Sequence, residues 1–236
     1  MKLSEKITDR NLLIVSVILN FVLLSLVLYQ FGKSDDSRPV NDNIRTDMVF
    51  SSKYATGDIL LIGGERMQVC AWRNLIGDSR ICNLSIHENT IADEQRRAGF
   101  IFDENEPSQV IVMLGMQDLK QGRPVNEVYG QFVKYIELLR QKLPQTEVVI
   151  HSLMPIGPDK YNEYSQIPLE NIVNYNTLIK MYALQEGLIY LNMYDEFLEG
   201  NGLVPRYNTG DGFHLSQVAY RQWKDRLQSV MPSKEN

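Results

Sequence analysis

An α/β fold, with five parallel strands and helices layered on both faces, is predicted by two features of this sequence. Five short apolar runs lack the polar alternation of a half-exposed strand, and longer segments of helical period separate them. The runs cover residues 59–63, 81–85, 110–114, 148–152 and 188–192. Residues 124–143 place Val128, Phe132, Ile136 and Leu139 on one helical face, with Pro124 at the first helical position, where an N–H would be unsatisfied anyway. Thr90 is a candidate cap for a helix running through Gly99, residues 169–185 form another helix, and residues 217–231 close the chain. Strand-helix alternation with right-handed crossovers covers both faces of the sheet. Ligands of such sheets bind beyond the carboxyl ends of the strands. Those ends are residues 63–66, 87–90, 115–119 and the loop after Ser152.

With 236 residues, of which 44% are hydrophobic and 22% charged, the chain has the composition of a folded protein and the length for one α/β domain with an appendage. A formal charge of −5 and a pI near 5.3 argue against a nucleic-acid partner, because phosphate contacts need clustered Lys and Arg. The appendage is N-terminal. Residues 11–31 carry no charge and are dominated by Leu, Val and Ile, enough helix to cross the roughly 30 Å hydrocarbon core of a bilayer. No small-x-small cleavage site follows at residues 28–33, which favours an uncleaved signal anchor over a removed signal peptide. Lys2, Lys6 and Arg10 outnumber Lys33 and Arg38 around the span, so residues 1–10 are expected in the cytoplasm and the bulk outside it. Residues 32–53 read as a polar linker and 54–232 as the folded domain. Cys70 and Cys82 are left open between a disulfide and free thiols, since sequence does not supply the Cα separation.

Four short blocks lie at the strand ends. Residues 59–62 lead into Gly63-Gly64-Glu65, and the second block places Asn83, Ile86, Glu88 and Thr90 in register. The third is Gly115-Met116-Gln117-Asp118, and the fourth is Asp211-Gly212-Phe213-His214-Leu215 ahead of the last helix. In this order they resemble the blocks of the SGNH or GDSL hydrolase family: Gly-Asp-Ser after a strand, Asn-x-x-Ile-x-Gly-x-Thr, Gly-x-Asn-Asp, and Asp-x-x-His. Tyr207, Trp223 and the strand exit at 152–155 fit the same pattern.

The resemblance covers roughly residues 58–227. It implies a flavodoxin-like three-layer α/β/α domain of the kind that carries esterases, lipases and acetyl-ester hydrolases, with neither a cofactor nor a resident metal. It makes Asp211 and His214 a retained catalytic pair, residue 65 the nucleophile position, and residues 88 and 117 the oxyanion-hole positions. Gly64, Arg66, His87, Gly115 and Met154 would line the substrate cleft. Three positions depart from the pattern: Glu65 stands for serine, Glu88 for glycine and Gln117 for asparagine. A second Gly-Asp-Ser, Gly77-Asp78-Ser79, follows no strand and is read as a turn at the far end of the sheet.

In an intact member the histidine takes the serine proton, the aspartate orients the imidazole, and backbone N–H groups with the asparagine amide hold the oxyanion. A carboxylate attacking an ester gives an anhydride, and its charge opposes the oxyanion forming beside it. Removing one oxyanion donor alone slows a serine hydrolase about a hundredfold to a thousandfold. Glu65 near His214 would raise the imidazole pKa and turn the pair into a salt bridge. Glu65, Glu88, Asp211 and His214 also have the donor chemistry of a divalent-cation site, although Arg66 beside Glu65 offers a simpler partner. His151, inside an apolar run, reads as a buried sheet histidine, whereas His87 sits in the site loop.

The leading expectation is therefore a membrane-anchored, non-catalytic domain that binds an unidentified ligand or an envelope protein through the old cleft. The alternatives are a weak acyl- or acetyl-ester hydrolase, with Glu65 or Glu88 as general base on water, and a structural subunit of a membrane complex.

Overall fold

The computed structural model describes residues 54–102, 105–157 and 164–233. The expected membrane span at 11–31 and linker at 32–53 lie outside them, and no helix among the described residues is long and apolar enough to cross a membrane.

Five strands form one parallel sheet: β1 (Ile59–Gly63), β2 (Ile81–Asn83), β3 (Gln109–Met113), β4 (Glu147–His151) and β5 (Ile189–Leu191). Their order is β2-β1-β3-β4-β5, which is the flavodoxin-like doubly wound arrangement. β1 and β3 are buried along their whole length, as expected for strands sandwiched between helical layers. Their apolar side chains therefore need no alternation, and this is the pattern the sequence displays.

The helices follow from the crossovers. The β1-to-β2 connection carries α1 (Glu65–Gln68) and α2 (Trp72–Ile76) and steps outward in one direction. The later connections carry α3 (Ile91–Ile101), α4 (Met116–Lys120), α5 (Val125–Lys142) and α6 (Leu169–Gln185), and step the other way. Right-handed crossovers then place α2 on one face and α3, α5 and α6 on the other. The contacts agree: α3 packs on α5 and α5 on α6, whereas α2 packs on α8 (Gln217–Gln228). Trp72 of α2 and Trp223 of α8 meet edge to face, with ring centroids 4.7 Å apart. A short α7 (Tyr194–Phe197), a two-residue hairpin of β6 (Leu198–Glu199) with β7 (Gly202–Leu203), and a 3-10 turn at Pro205–Tyr207 complete the connection to α8.

Local chemistry sets the element ends. Thr90 caps α3 through a capping box: its hydroxyl accepts from the Asp93 N–H, and the Asp93 carboxylate accepts from the Thr90 N–H. β2 stops at Asn83, two residues earlier than expected. The Asn83 amide turns aside to donate to the Met67 carbonyl at 2.9 Å, while its side-chain oxygen accepts from the Ser85 N–H. Pro124 sits one position earlier than expected, as the N-cap of α5. α8 ends at Gln228 rather than residue 231. Ser79 is exposed in the turn that follows Gly77, a left-handed C-cap with φ +70°, and shares a hollow with Thr56 and Gly57 at the amino ends of the strands.

Candidate functional site

The order β2-β1-β3 reverses the direction of winding at β1 and β3, so the crevice opens beyond their carboxyl ends. A cleft forms there. Gly64, Glu65 and Arg66 line it from β1, Glu88 and Asn89 from the β2 loop, and Met113 to Gln117 from β3. Leu153 and Met154 close it from the β4 exit, with Tyr164 and Phe213 on the remaining side.

Glu65 is the first residue of α1, raised into the cleft by the turn at Gly64. Its Oε1 lies 3.2 Å from His214 Nε2. Its Oε2 lies 3.0 Å from His87 Nε2 and accepts from the Tyr164 hydroxyl at 3.3 Å. The His87 contact has the length of an ion pair without the alignment of a hydrogen bond. His214 Nδ1 is hydrogen-bonded to the Asp211 carboxylate, whose other oxygen accepts from the N–H groups of Phe213 and His214. The cleft thus brings together Glu65, His87, Asp211 and His214 from three separate parts of the chain.

These contacts set the charges. Burial pushes the Glu65 carboxyl up, but His87 and then His214 outweigh it and bring the group down to about 2. Asp211 is likewise raised by burial and lowered further by His214 and the two backbone donors, ending at about 2. Burial pushes His214 down, while Asp211 and Glu65 together carry it above 6.5. The two carboxylates on either side of His214 thus favour its charged form, the direction the sequence suggested.

Arg66 departs from expectation as a partner for Glu65. Its side chain is buried, its Nε and one terminal nitrogen donate to the carbonyls of Phe213 and Pro155 at 2.7 and 3.0 Å, and the guanidinium lies 4.2 Å from the centroid of the Phe213 ring. It pins the turn carrying Asp211 and His214 to the β4 exit. Tyr164 stacks on the same Phe213 ring, with centroids 3.8 Å apart, and Lys120 Nζ lies 4.7 Å from the Tyr164 centroid. The sequence of residues 158–167 holds two tyrosines, Tyr161 and Tyr164, and gives no indication which hydroxyl reaches Glu65; proximity across 99 residues has no local signature.

Two cleft positions, residues 88 and 115, have backbone in the left-handed region. Glu88 has φ +63°, the left-handed region, and no other non-glycine residue among the described residues has a positive φ. Glycine suits that conformation, so the backbone supports aligning residue 88 with the glycine of the second block. Gly115 has φ +113°, and a Cβ there would meet the Tyr175 ring at 2.7 Å. Gln117 Oε1 is buried with no hydrogen-bond partner among the described residues. The N–H groups of Glu65 and Glu88 donate no hydrogen bond among the described residues either. Asp118, from the same block, accepts from the Ile91 N–H and pairs with Arg123, each at 3.1 Å, and ties the cleft floor to α3.

Among the described residues, no group of three or more His, Cys, Asp or Glu side chains is arranged to hold a metal ion. Glu88, exposed on its loop, does not join Glu65, Asp211 and His214 in such a set. His151 is buried, with Nδ1 2.6 Å from the Ser152 carbonyl and its ring 5.3 Å from that of Trp223, and burial lowers it to about 4. It is a neutral sheet histidine away from the cleft. Cys70 and Cys82 are free thiols.

The family model described as GDSL-like Lipase/Acylhydrolase family matches residues 64–222. No curated protein matches the chain. Among solved structures, one assigned as a platelet activating factor from Streptococcus pneumonia aligns with TM-score 0.72 at 20% identity, covering 88% of this chain and 98% of its own. A GDSL-like lipase from Bacteroides thetaiotaomicron aligns with TM-score 0.63 at 16% identity over 86% and 94% of the two chains. An acetyl xylan esterase aligns with TM-score 0.60 at 18% identity over 74% and 100%.

Proposed function

Because the chain belongs to the GDSL-like lipase/acylhydrolase family, we propose that its cleft takes acyl or acetyl esters and hydrolyses them by direct attack of water rather than through a serine acyl-enzyme. The observation that carries this reading is His214, which keeps its orienting Asp211 and reaches residue 65 through Nε2. Neutral His214 draws a proton from water, and the N–H groups of Glu65 and Glu88 with the Gln117 amide are the donors for the oxyanion. Because the two carboxylates hold the imidazole protonated to higher pH, the rate should rise through an apparent pKa above 6.5.

The test is turnover of p-nitrophenyl acetate and butyrate by the full-length protein in mild detergent, compared with His214→Ala. Turnover that disappears with His214 supports hydrolysis. Its absence in the unmodified protein leaves the second reading, a non-catalytic ligand-binding domain, and its persistence in His214→Ala removes His214 from the mechanism. That reading is favoured by the clamped Glu65 carboxylate and by the lack of Ser, Thr or Cys among the described residues that line the cleft.

We also propose that residues 11–31 anchor the protein with the domain outside the cytoplasm. Retention in membranes after alkaline carbonate washing, lost on deletion of that run, is the expected outcome.

A further inference from the structure

A carboxylate in the nucleophile's position is mismatched to a carbonyl carbon, but not to every electrophile. At a saturated carbon the same attack yields an ester of Glu65 rather than an anhydride, and carboxylate nucleophiles are an established form of covalent catalysis. The cleft holds what the remaining steps require. Oε1 faces His214 Nε2 at 3.2 Å, so an ester formed on Glu65 presents its carbonyl carbon to the histidine that activates water. The Tyr164 hydroxyl, 3.3 Å from Oε2, is a proton source at the point of attack. Leu114, Leu153, Met154 and Phe213 give the cleft apolar walls suited to an alkyl group.

We propose a second activity for this cleft: Glu65 opens an apolar epoxide to form a hydroxyalkyl ester, which water activated by His214 then hydrolyses to the vicinal diol. In the first step a Glu65 oxygen bonds to the ring carbon, the carbon–oxygen bond of the ring breaks, and the leaving oxygen takes the Tyr164 proton. In the second, His214 takes a proton from water as the hydroxide adds to Cδ of Glu65. The tetrahedral intermediate collapses, the diol oxygen leaves and receives the proton from His214, and the Glu65 carboxylic acid returns its proton to the Tyr164 phenolate across their contact. The sum is epoxide plus water giving diol, with no other reactant.

Charge favours this order of events. Glu65 is ionised before attack, as a nucleophile must be, and its conversion to a neutral ester removes one of the two carboxylates that hold the His214 proton. His214 becomes a better base at the step that needs one. The proposal shares the cleft with the ester-hydrolysis reading but does not depend on it, because the two differ in which atom attacks.

The test uses the full-length protein with 1,2-epoxyhexane. In His214→Gln the second step is blocked: peptide mass mapping should find the Glu65 peptide heavier by one epoxide, and diol release should fall by about a hundredfold or more. The unmodified protein, turning over in 18O-labelled water, should acquire the label in the Glu65 carboxylate, a readout that requires no variant to fold. Glu65→Ser should abolish diol formation while raising p-nitrophenyl acetate turnover, so failure of one activity is distinguishable from failure of the other. Absence of both an adduct at Glu65 in His214→Gln and label at Glu65 in the unmodified protein would overturn the proposal, as would diol formation undiminished in Glu65→Ser.

Discussion

Glu65 Oε1 stands 3.2 Å from His214 Nε2, at hydrogen-bonding distance from the imidazole nitrogen that Asp211 orients from the other side. The pair has the spacing that a hydroxyl nucleophile and its base require. Glu65→Ser is therefore expected to raise p-nitrophenyl ester turnover above that of the unmodified chain. Adding Gln117→Asn and Glu88→Gly should raise kcat further, by up to about a hundredfold for each oxyanion donor brought into line. A triple variant no faster than the parent protein would show that the remaining scaffold is incompetent.

The same contact makes stability depend on pH. Glu65 drops from 4.5 to about 2 on folding, so its contribution is present above pH 4.5 and is lost as the pH falls through about 2. His214 moves the opposite way: its contribution is complete below pH 6.5 and is lost as the pH rises through its elevated folded value. Urea midpoints measured from pH 2 to 9 should fall at both ends. Glu65→Gln should flatten the acid limb and weaken the alkaline one, and parallel curves for the two proteins would refute the coupling.

Glu88 tests whether its loop conformation is inherited from a glycine. A non-glycine residue in the left-handed region is disfavoured by about 1–2 kcal/mol, partly offset by the greater chain entropy of an unfolded glycine. Glu88→Gly should stabilise the fold by roughly 1 kcal/mol and raise the urea midpoint with an unchanged slope. An equivalent Glu88→Ala variant should show no such gain, which separates backbone strain from side-chain charge.

The sheet was legible because burial on both faces removes alternation: 59–63 matched β1 to the residue, and Thr90 announced the start of α3. Asp211 and His214 were legible as the Asp-x-x-His block of the family resemblance, and their contact spans only three residues. What escaped was either too short or too distant. α1, α2, α4 and α7 have four or five residues each, less than two turns, and no amphipathic period emerges from so few positions. The meeting of Tyr164 and His87 on one Glu65 oxygen depends on how three loops converge, and the diversion of Arg66 to the carbonyls of Phe213 and Pro155 depends on the β4 exit lying beside it. Adjacency in sequence suggested an Arg66–Glu65 pair; the helix start points the two side chains to different partners.

Gly115 shows how tightly the cleft floor is fitted. Its φ of +113° already disfavours a side chain, and a Cβ would sit 2.7 Å from Cζ of Tyr175. That ring has little freedom to retreat, since its hydroxyl donates to the Leu114 carbonyl at 3.0 Å and its edge meets Phe132 with centroids 6.0 Å apart. Backbone strain of about 1–2 kcal/mol and overpacking of about 1–3 kcal/mol act together, so Gly115→Ala should destabilise the domain by about 3 kcal/mol. The two causes separate in a double-mutant cycle with Tyr175→Leu, which removes the ring but leaves φ unchanged. The double variant should recover the overpacking part and retain the backbone part, giving a coupling of about 1–3 kcal/mol in urea unfolding. Strict additivity would mean that the ring moves freely and that Tyr175 does not hold the β3 exit in place.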